Sequence, residues 1–268
     1  MKTINTFKFL VLALGLILTS CASDDDTTEN LSGTNNLIIE FDNSVSGDDL
    51  LLNSTSYTNS NSEIITINRF NYIVSNFVLI DAAGNEFTYP KDESYFIVSE
   101  EINLNEIELK NIPAGAYVAI RFGIGVDQEK YLQGAEGQGD FLQLAETTNM
   151  MWSWQAGYKF LNFEGTFTSS TITEAKDFKI HMGSHGSSLD NYRELTVSLP
   201  TNALVSSNLS PIIHLEVDAN QILDGQNKIS LSEKSVVMVD EVKSPQIAVN
   251  AATMFRVDHV HNGENHDH

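Results

Sequence analysis

The sequence predicts an all-β fold, an antiparallel β-sandwich of immunoglobulin-like general architecture with long connecting loops. Three observations carry that prediction. Short β-branched and aromatic runs recur along the chain, Asn, Ser, Gly and Asp bound them, and apolar residues at helical spacing are weak throughout. Strand after strand separated by turn signals is the pattern of packed antiparallel sheets.

The chain opens with Lys2, Lys8 and an apolar run from Phe9 to Leu18, too short to span a bilayer and shaped like a secretory signal over residues 1–20. Cys21, the single cysteine, follows Leu18-Thr19-Ser20 in a pattern that resembles a bacterial lipobox, so its thiol is the expected lipidation site. Behind Cys21 runs ASDDDTTENLSGTNN, acidic and without apolar periodicity, so residues 21–36 are expected to form a flexible tether. An acidic run so close to a lipidated cysteine resembles the signal that sends some lipoproteins to the cell surface. The expectation is an outer-membrane lipoprotein, periplasm-facing or at the surface, that touches the membrane through its acyl anchor.

Fifteen basic against 36 acidic side chains give a formal net charge of −21, and loss of Lys2 and Lys8 with the leader makes it more negative. Phosphate backbones would be repelled, which argues against nucleic acid as a partner. With no cysteine after Cys21, intramolecular disulfides and thiolate metal sites are excluded.

A single sandwich domain is expected over residues 37–262. Its first strand runs are Leu37–Phe41, Ile64–Ile67, Phe77–Ile80 and Tyr95–Val98, with a hairpin turn at Ala82–Asn85. Ile112–Gly115 opens the next strand, Tyr117–Val126. Gln128–Thr148, with Gly134, Gly137 and Gly139, reads as a long loop carrying a short helical turn, and loops of that length are commonly functional or mobile. Later runs are Trp152–Gly165, Phe178–Met182, Leu195–Leu199, Ile212–Val217 and Met254–His261. Residues 263–268, with His266 and His268, form an expected disordered tail.

Both tryptophans of the chain, Trp152 and Trp154, lie two residues apart. Alternation places them on one strand face, roughly 6.5–7 Å apart along it. They either fill a core or build a site. In the last strand Phe255, Val257, His259 and His261 share one face, and Arg256 and Asp258 the other. A His-x-His pair on a strand can converge two nitrogens on one ion, and the competing reading is a frayed strand with solvated histidines. His181 ends the Phe178–Met182 run opposite its apolar face. His185, beyond Gly183, is the weaker candidate, and His214 reads as a sheet-surface residue. Imidazoles without cysteine suit copper, zinc or nickel. Met150, Met151, Met182 and Met254 lie near these segments, where thioethers favour Cu(I) and equally fill cores. No G-x-S-x-G elbow, H-E-x-x-H helix, phosphate-binding glycine loop or calcium loop occurs, so no enzyme activity is expected. A carbohydrate- or protein-binding sandwich is the alternative to a metal-binding one.

Several stretches together resemble the copper-binding MbnP-like lipoproteins, common in Bacteroidetes and related to periplasmic copper proteins of methane oxidisers. They are SYTNSNSE (56–63), FNYIVSNF (70–77), DESYFIV (92–98), IPAGAY (112–117), FGIGVD (122–127), the M-x-W-x-W-x-x-G-Y-x-F set of Met150 to Phe160, FKIHMG (178–183) and FRVDHVHN (255–262). The resemblance implies a β-sandwich that binds copper through histidines beside a tryptophan, for sequestration or uptake. It further implies oxidation of that tryptophan to kynurenine by a dihaem partner of the cytochrome c peroxidase type, and an outer-membrane copper receptor as a further partner. Carried over by motif, Trp152 or Trp154 is the modified residue and His181, His259 and His261 are the ligands. The chain departs from the family's H-x-G-G at His181-Met182-Gly183-Ser184.

Replacing Cys21 by Ala is expected to abolish incorporation of labelled palmitate in vivo and to release the protein from the membrane fraction. Persistent labelling would refute lipidation at this residue.

Overall fold

Sixteen strands, numbered along the chain, occur among the residues described by a computed structural model, Leu31–Gly263 without Gln155 and Ser187. The expected leader, Cys21, His266 and His268 lie outside the described residues. Five strands form one sheet. In it β16 (Phe255–His261), β14 (Ile212–Asp218) and β1 (Thr34–Val45) lie side by side, and β2 (Asp48–Asp49) and β7 (Glu106–Pro113) pair with β1. Nine form the other, in the order β13 (Arg193–Val205), β8 (Gly115–Ile124), β4 (Ile64–Asp81), β11 (Leu161–Thr168), β12 (Lys176–Met182) and β15 (Val236–Val237). Three short strands, β3 (Ser56–Thr58), β5 (Glu86–Thr88) and β6 (Tyr95–Ser99), also pair with β4. A separate two-stranded ribbon joins β9 (Met151–Ser153) and β10 (Gly157–Tyr158).

The fold is the expected all-β sandwich, with two differences. The β1–β14 and β12–β15 pairs are parallel, so both sheets are mixed. Helix is also more extensive than the weak periodicity suggested. The 128–148 loop holds α1 (Gln128–Tyr131) and α2 (Asp140–Thr147), and α3 (Gln221–Asp224) and α4 (Lys243–Ala251) pack further on. In α4 the buried residues Ile247, Ala248 and Ala251 recur at helical spacing, a stripe too short to stand out in the sequence. Strand β1 begins at Thr34, inside the expected tether, because Thr34 pairs with Pro113 of β7.

Strand β4 is the spine. Its central residues Phe70–Ser75 are buried without alternation, as a strand covered on both faces requires. Aromatic side chains from the two sheets interlock beside it. The Phe255 ring lies 6.5 Å from Phe41, 5.7 Å from Tyr72 and 5.2 Å from Phe122, all edge-on. Phe41 and Phe255 belong to the smaller sheet, Tyr72 and Phe122 to the larger. The SYTNSNSE stretch has a structural role: Asn59 donates to the buried Glu63 carboxylate at 2.8 Å, which also accepts from the Leu231 and Ser232 amides and pins that distant segment.

A β-bulge changes the phase of the last strand. Phe255 and Val257 oppose the buried Val217 and Leu215, but the next paired residue is His259, opposite His214, leaving Asp258 as the extra residue. Past the bulge Val260 faces inward, opposite buried Ile213. His259 and His261 therefore leave the face of Phe255 and Val257, on which simple alternation had placed them, and lie on the outer face.

Truncating Phe255 to Ala removes a ring that both sheets share. Destabilisation of about 3–5 kcal/mol is expected, read as a lower denaturant midpoint with an unchanged slope.

Candidate metal centre

The two indoles separate. Strand β9 ends at Ser153, so its alternation does not carry Trp154 onto the face of Trp152. Trp154 packs 5.1 Å from the Tyr131 ring and 6.3 Å from Tyr158, and its carbonyl accepts from the Tyr131 hydroxyl at 3.0 Å. Trp152 instead lies against His185, ring centroids 4.7 Å apart and planes 37° apart. Gly183 makes the approach possible, because a Cβ there would stand 3.0 Å from the indole edge and 2.2 Å from the Tyr158 carbonyl oxygen.

The turn that presents His185 is fixed by its own polar side chains. Asn191 donates to the Gly183 carbonyl at 2.8 Å, and the Ser184 hydroxyl donates to Asp190 at 2.7 Å. The His185 amide donates to the Leu189 carbonyl at 2.9 Å. Burial holds the His185 imidazole below its ordinary pKa, although a hydrogen bond to the Met238 backbone opposes the shift. A neutral ring has a lone pair on one nitrogen, and here Nε2 is covered and has no hydrogen-bond partner among the described residues.

His181, two residues before Gly183, is buried on β12. Its Nε2 stands 2.6 Å from Glu164 Oε1, and Arg69 bonds the second Glu164 oxygen at 3.3 Å while chelating Glu101. The hydrogen bond from His181 is the leading cause that holds the Glu164 carboxyl below its ordinary range. An ionised carboxylate on Nε2 selects the tautomer whose lone pair is on Nδ1, the usual preparation of a metal-binding histidine. That Nδ1 is buried and has no hydrogen-bond partner among the described residues. Asn71 and Asn162 stand beside it in one cross-strand row, each with a buried side-chain oxygen likewise unpartnered.

His259 and His261 belong to the other sheet and are not gathered with Trp152 and His181 in any metal-type cluster. Among the described residues no three His, Cys, Asp or Glu side chains form a group that could hold a metal. An indole with two imidazoles lies outside such a count, since tryptophan is no ordinary ligand. Sequence reasoning ranked His185 below His181. The signal for it was the glycine between two histidines of an H-x-G-x-H spacing, which needs a tryptophan from elsewhere to acquire meaning.

The loop beneath Trp154 is tied to the sheet through Asp127, which caps α1 by accepting from the Lys130 amide. Its carboxylate also accepts from Asn76 at 2.8 Å, Tyr95 at 2.6 Å and Lys91 at 2.9 Å. Burial pushes the Asp127 carboxyl up, but these hydrogen bonds outweigh it and bring the pKa down to about 2.

This all-β sandwich thus sets an indole against the His185 imidazole beside the glycine at one strand end, with His181 two residues before that glycine. The chain belongs to the MbnP family, whose sequence profile matches residues 34–240. The match includes Trp152, His181 and His185 and stops before His259 and His261. Among solved structures the fold is similar to MbnP from Methylosinus trichosporium, at 15% identity over 77% of this chain and 81% of that one, with a TM-score of 0.48. Curated proteins offer no significant match. Family membership supports a copper-related role in broad terms.

Because the folded-state pKa of Asp127 is depressed, its contribution to stability is complete above the ordinary 3.8 and is lost as pH falls toward about 2. Asp127→Asn is expected to lower the thermal midpoint at neutral pH and to flatten its decline across that acid window. A variant with the wild-type acid profile would contradict this.

Proposed function

We propose that the protein binds copper around Gly183, through His185 and His181 beside Trp152, and that it sequesters or delivers the metal without catalysing a reaction. The observation that carries this reading is the stacking on Trp152 of His185, whose covered Nε2 has no hydrogen-bond partner among the described residues. Two nitrogen donors in a chain with no cysteine after Cys21 suit copper better than calcium or magnesium. The orienting carboxylate of Glu164 supports His181 as a ligand. The family resemblance attaches copper to histidines beside a tryptophan, and the profile match covers this group. His259 and His261 are left out of the site.

Kynurenine explains why an indole belongs there. Cleavage of the indole C2–C3 bond by a dihaem partner of the cytochrome c peroxidase type, with two equivalents of peroxide as oxidant and loss of C2 as formate on hydrolysis, leaves an aniline nitrogen, which can bind a metal as the indole cannot. Trp152, next to His185, is the residue proposed for modification rather than Trp154, which packs on Tyr131. Lipidation at Cys21 would hold the copper-bearing domain at the outer membrane, within reach of a copper receptor.

Competition titration with a Cu(I) chelator tests the site on the purified full chain. His185→Ala and His181→Ala are each expected to weaken Cu(I) binding by about tenfold or more, and Trp152→Phe to remove any gain that co-expression with the dihaem enzyme confers. Wild-type affinity in both histidine variants would overturn the assignment. Peptide mass spectrometry after co-expression should place the kynurenine mass change on Trp152 and leave Trp154 unmodified.

A further inference from the structure

We infer that the outer face of the smaller sheet carries a second metal site, separate from the copper site, in which His214 and His259 bind a zinc-class divalent cation. The pair sits in one cross-strand row, Glu40 on β1, His214 on β14 and His259 on β16. The bulge at Asp258 puts His259 in that row, since without it this residue would point into the core.

The two imidazoles stack face to face, ring centroids 4.1 Å apart and planes 12° apart. Each has a carboxylate on the same nitrogen. Glu40 lies 3.0 Å from His214 Nδ1, and Asp258 lies 2.9 Å from His259 Nδ1. With a carboxylate accepting at both Nδ1 atoms, the proton resides there and the lone pair of each ring is on Nε2, the arrangement that outer carboxylates impose on metal-binding histidines. Directly opposed residues on antiparallel strands hold their Cβ atoms about 4.5–5.5 Å apart, close enough for both rings to reach one ion at roughly 2.0–2.1 Å per bond. His214 is nearly buried, whereas the His259 side chain is 53% exposed, and its ring has to rotate out of the stack for both Nε2 lone pairs to converge on one ion.

The surroundings favour a cation. Glu40, Asp42, Asp49 and Asp258 crowd this face, and the cations on it among the contacts described, Arg256 and Lys110, are paired with Glu216 and Glu108. The Asp42 carboxyl is pushed up, first by burial and then by Asp49, Glu40 and Asp258, a repulsion that a bound cation relieves. Two nitrogen donors with carboxylates and no sulfur suit zinc among divalent ions, and water completes the coordination. Two protein ligands make an open, exchangeable site. It lies outside the span that the family profile matches on the side of His259 and does not depend on the copper reading.

Calorimetric titration of the chelator-treated full chain with zinc chloride near pH 7.5 tests the inference. In the His185→Ala chain, whose proposed copper site is disabled, one equivalent is expected to bind, with affinity reduced about tenfold or more when His259→Ala or His214→Ala is added. Because His259 is exposed its variant should fold normally, which circular dichroism would verify. Asp258→Asn, a change in a positioning residue, should weaken zinc binding, and Asp258→Glu, which keeps a carboxylate for His259 Nδ1, should restore most of it. Zinc binding that survives both histidine substitutions, or no binding by the wild-type chain, would overturn the site. Neither result bears on Cu(I) binding at His185.

Discussion

The packing of Phe255 among Phe41, Tyr72 and Phe122 is the constraint on which the arrangement depends. The ring contacts both sheets and fixes where the last strand enters the core. Val257 and Val260, three positions apart, must both face inward, which a regular strand of period two cannot do. The bulge at Asp258 resolves the conflict by releasing one residue from the ladder. Its cost in lost pairing is offset by burial of Val260, and its by-product is a pair of outward-facing histidines.

The larger sheet organises its histidine differently. His181 stays in regular register, and its environment comes from neighbours across the strands: Glu164 on β11, then Arg69 on β4 and Glu101 beyond it. The buried row of Asn71, Asn162 and His181 is rigid, because each side chain is held at one end by a hydrogen bond. Such rigidity suits metal binding, where ligands held in advance lose little entropy on association.

Trp152 and His185 come from neither sheet's interior. They sit on the ribbon and on the turn after β12, joined over Gly183, where the absence of a side chain admits the indole. Asn191 and Ser184 fix one partner, while the β9–β10 ribbon and the Asp127 knot steady the neighbouring loop. The proposed copper site thereby rests on loops whose freedom has been removed by specific hydrogen bonds.

By itself the sequence determined the all-β class, the strands around Phe70–Phe77 and Phe178–Met182, and the acidic surface. It also determined the inventory of donors: seven histidines, two tryptophans and a single cysteine at the start. These follow from composition and from a period of two that is read locally. Tertiary structure decided which donors meet. Alternation put His259 and His261 with Phe255, and packing of Val260 reversed them. Alternation also joined Trp152 to Trp154, and the early end of β9 parted them. His185 looked incidental until Gly183 brought Trp152 onto it. Strand phase is a local rule, but bulges and strand ends are set by packing against residues far away in the chain, so the partners of each histidine emerge only when the sheets close on one another.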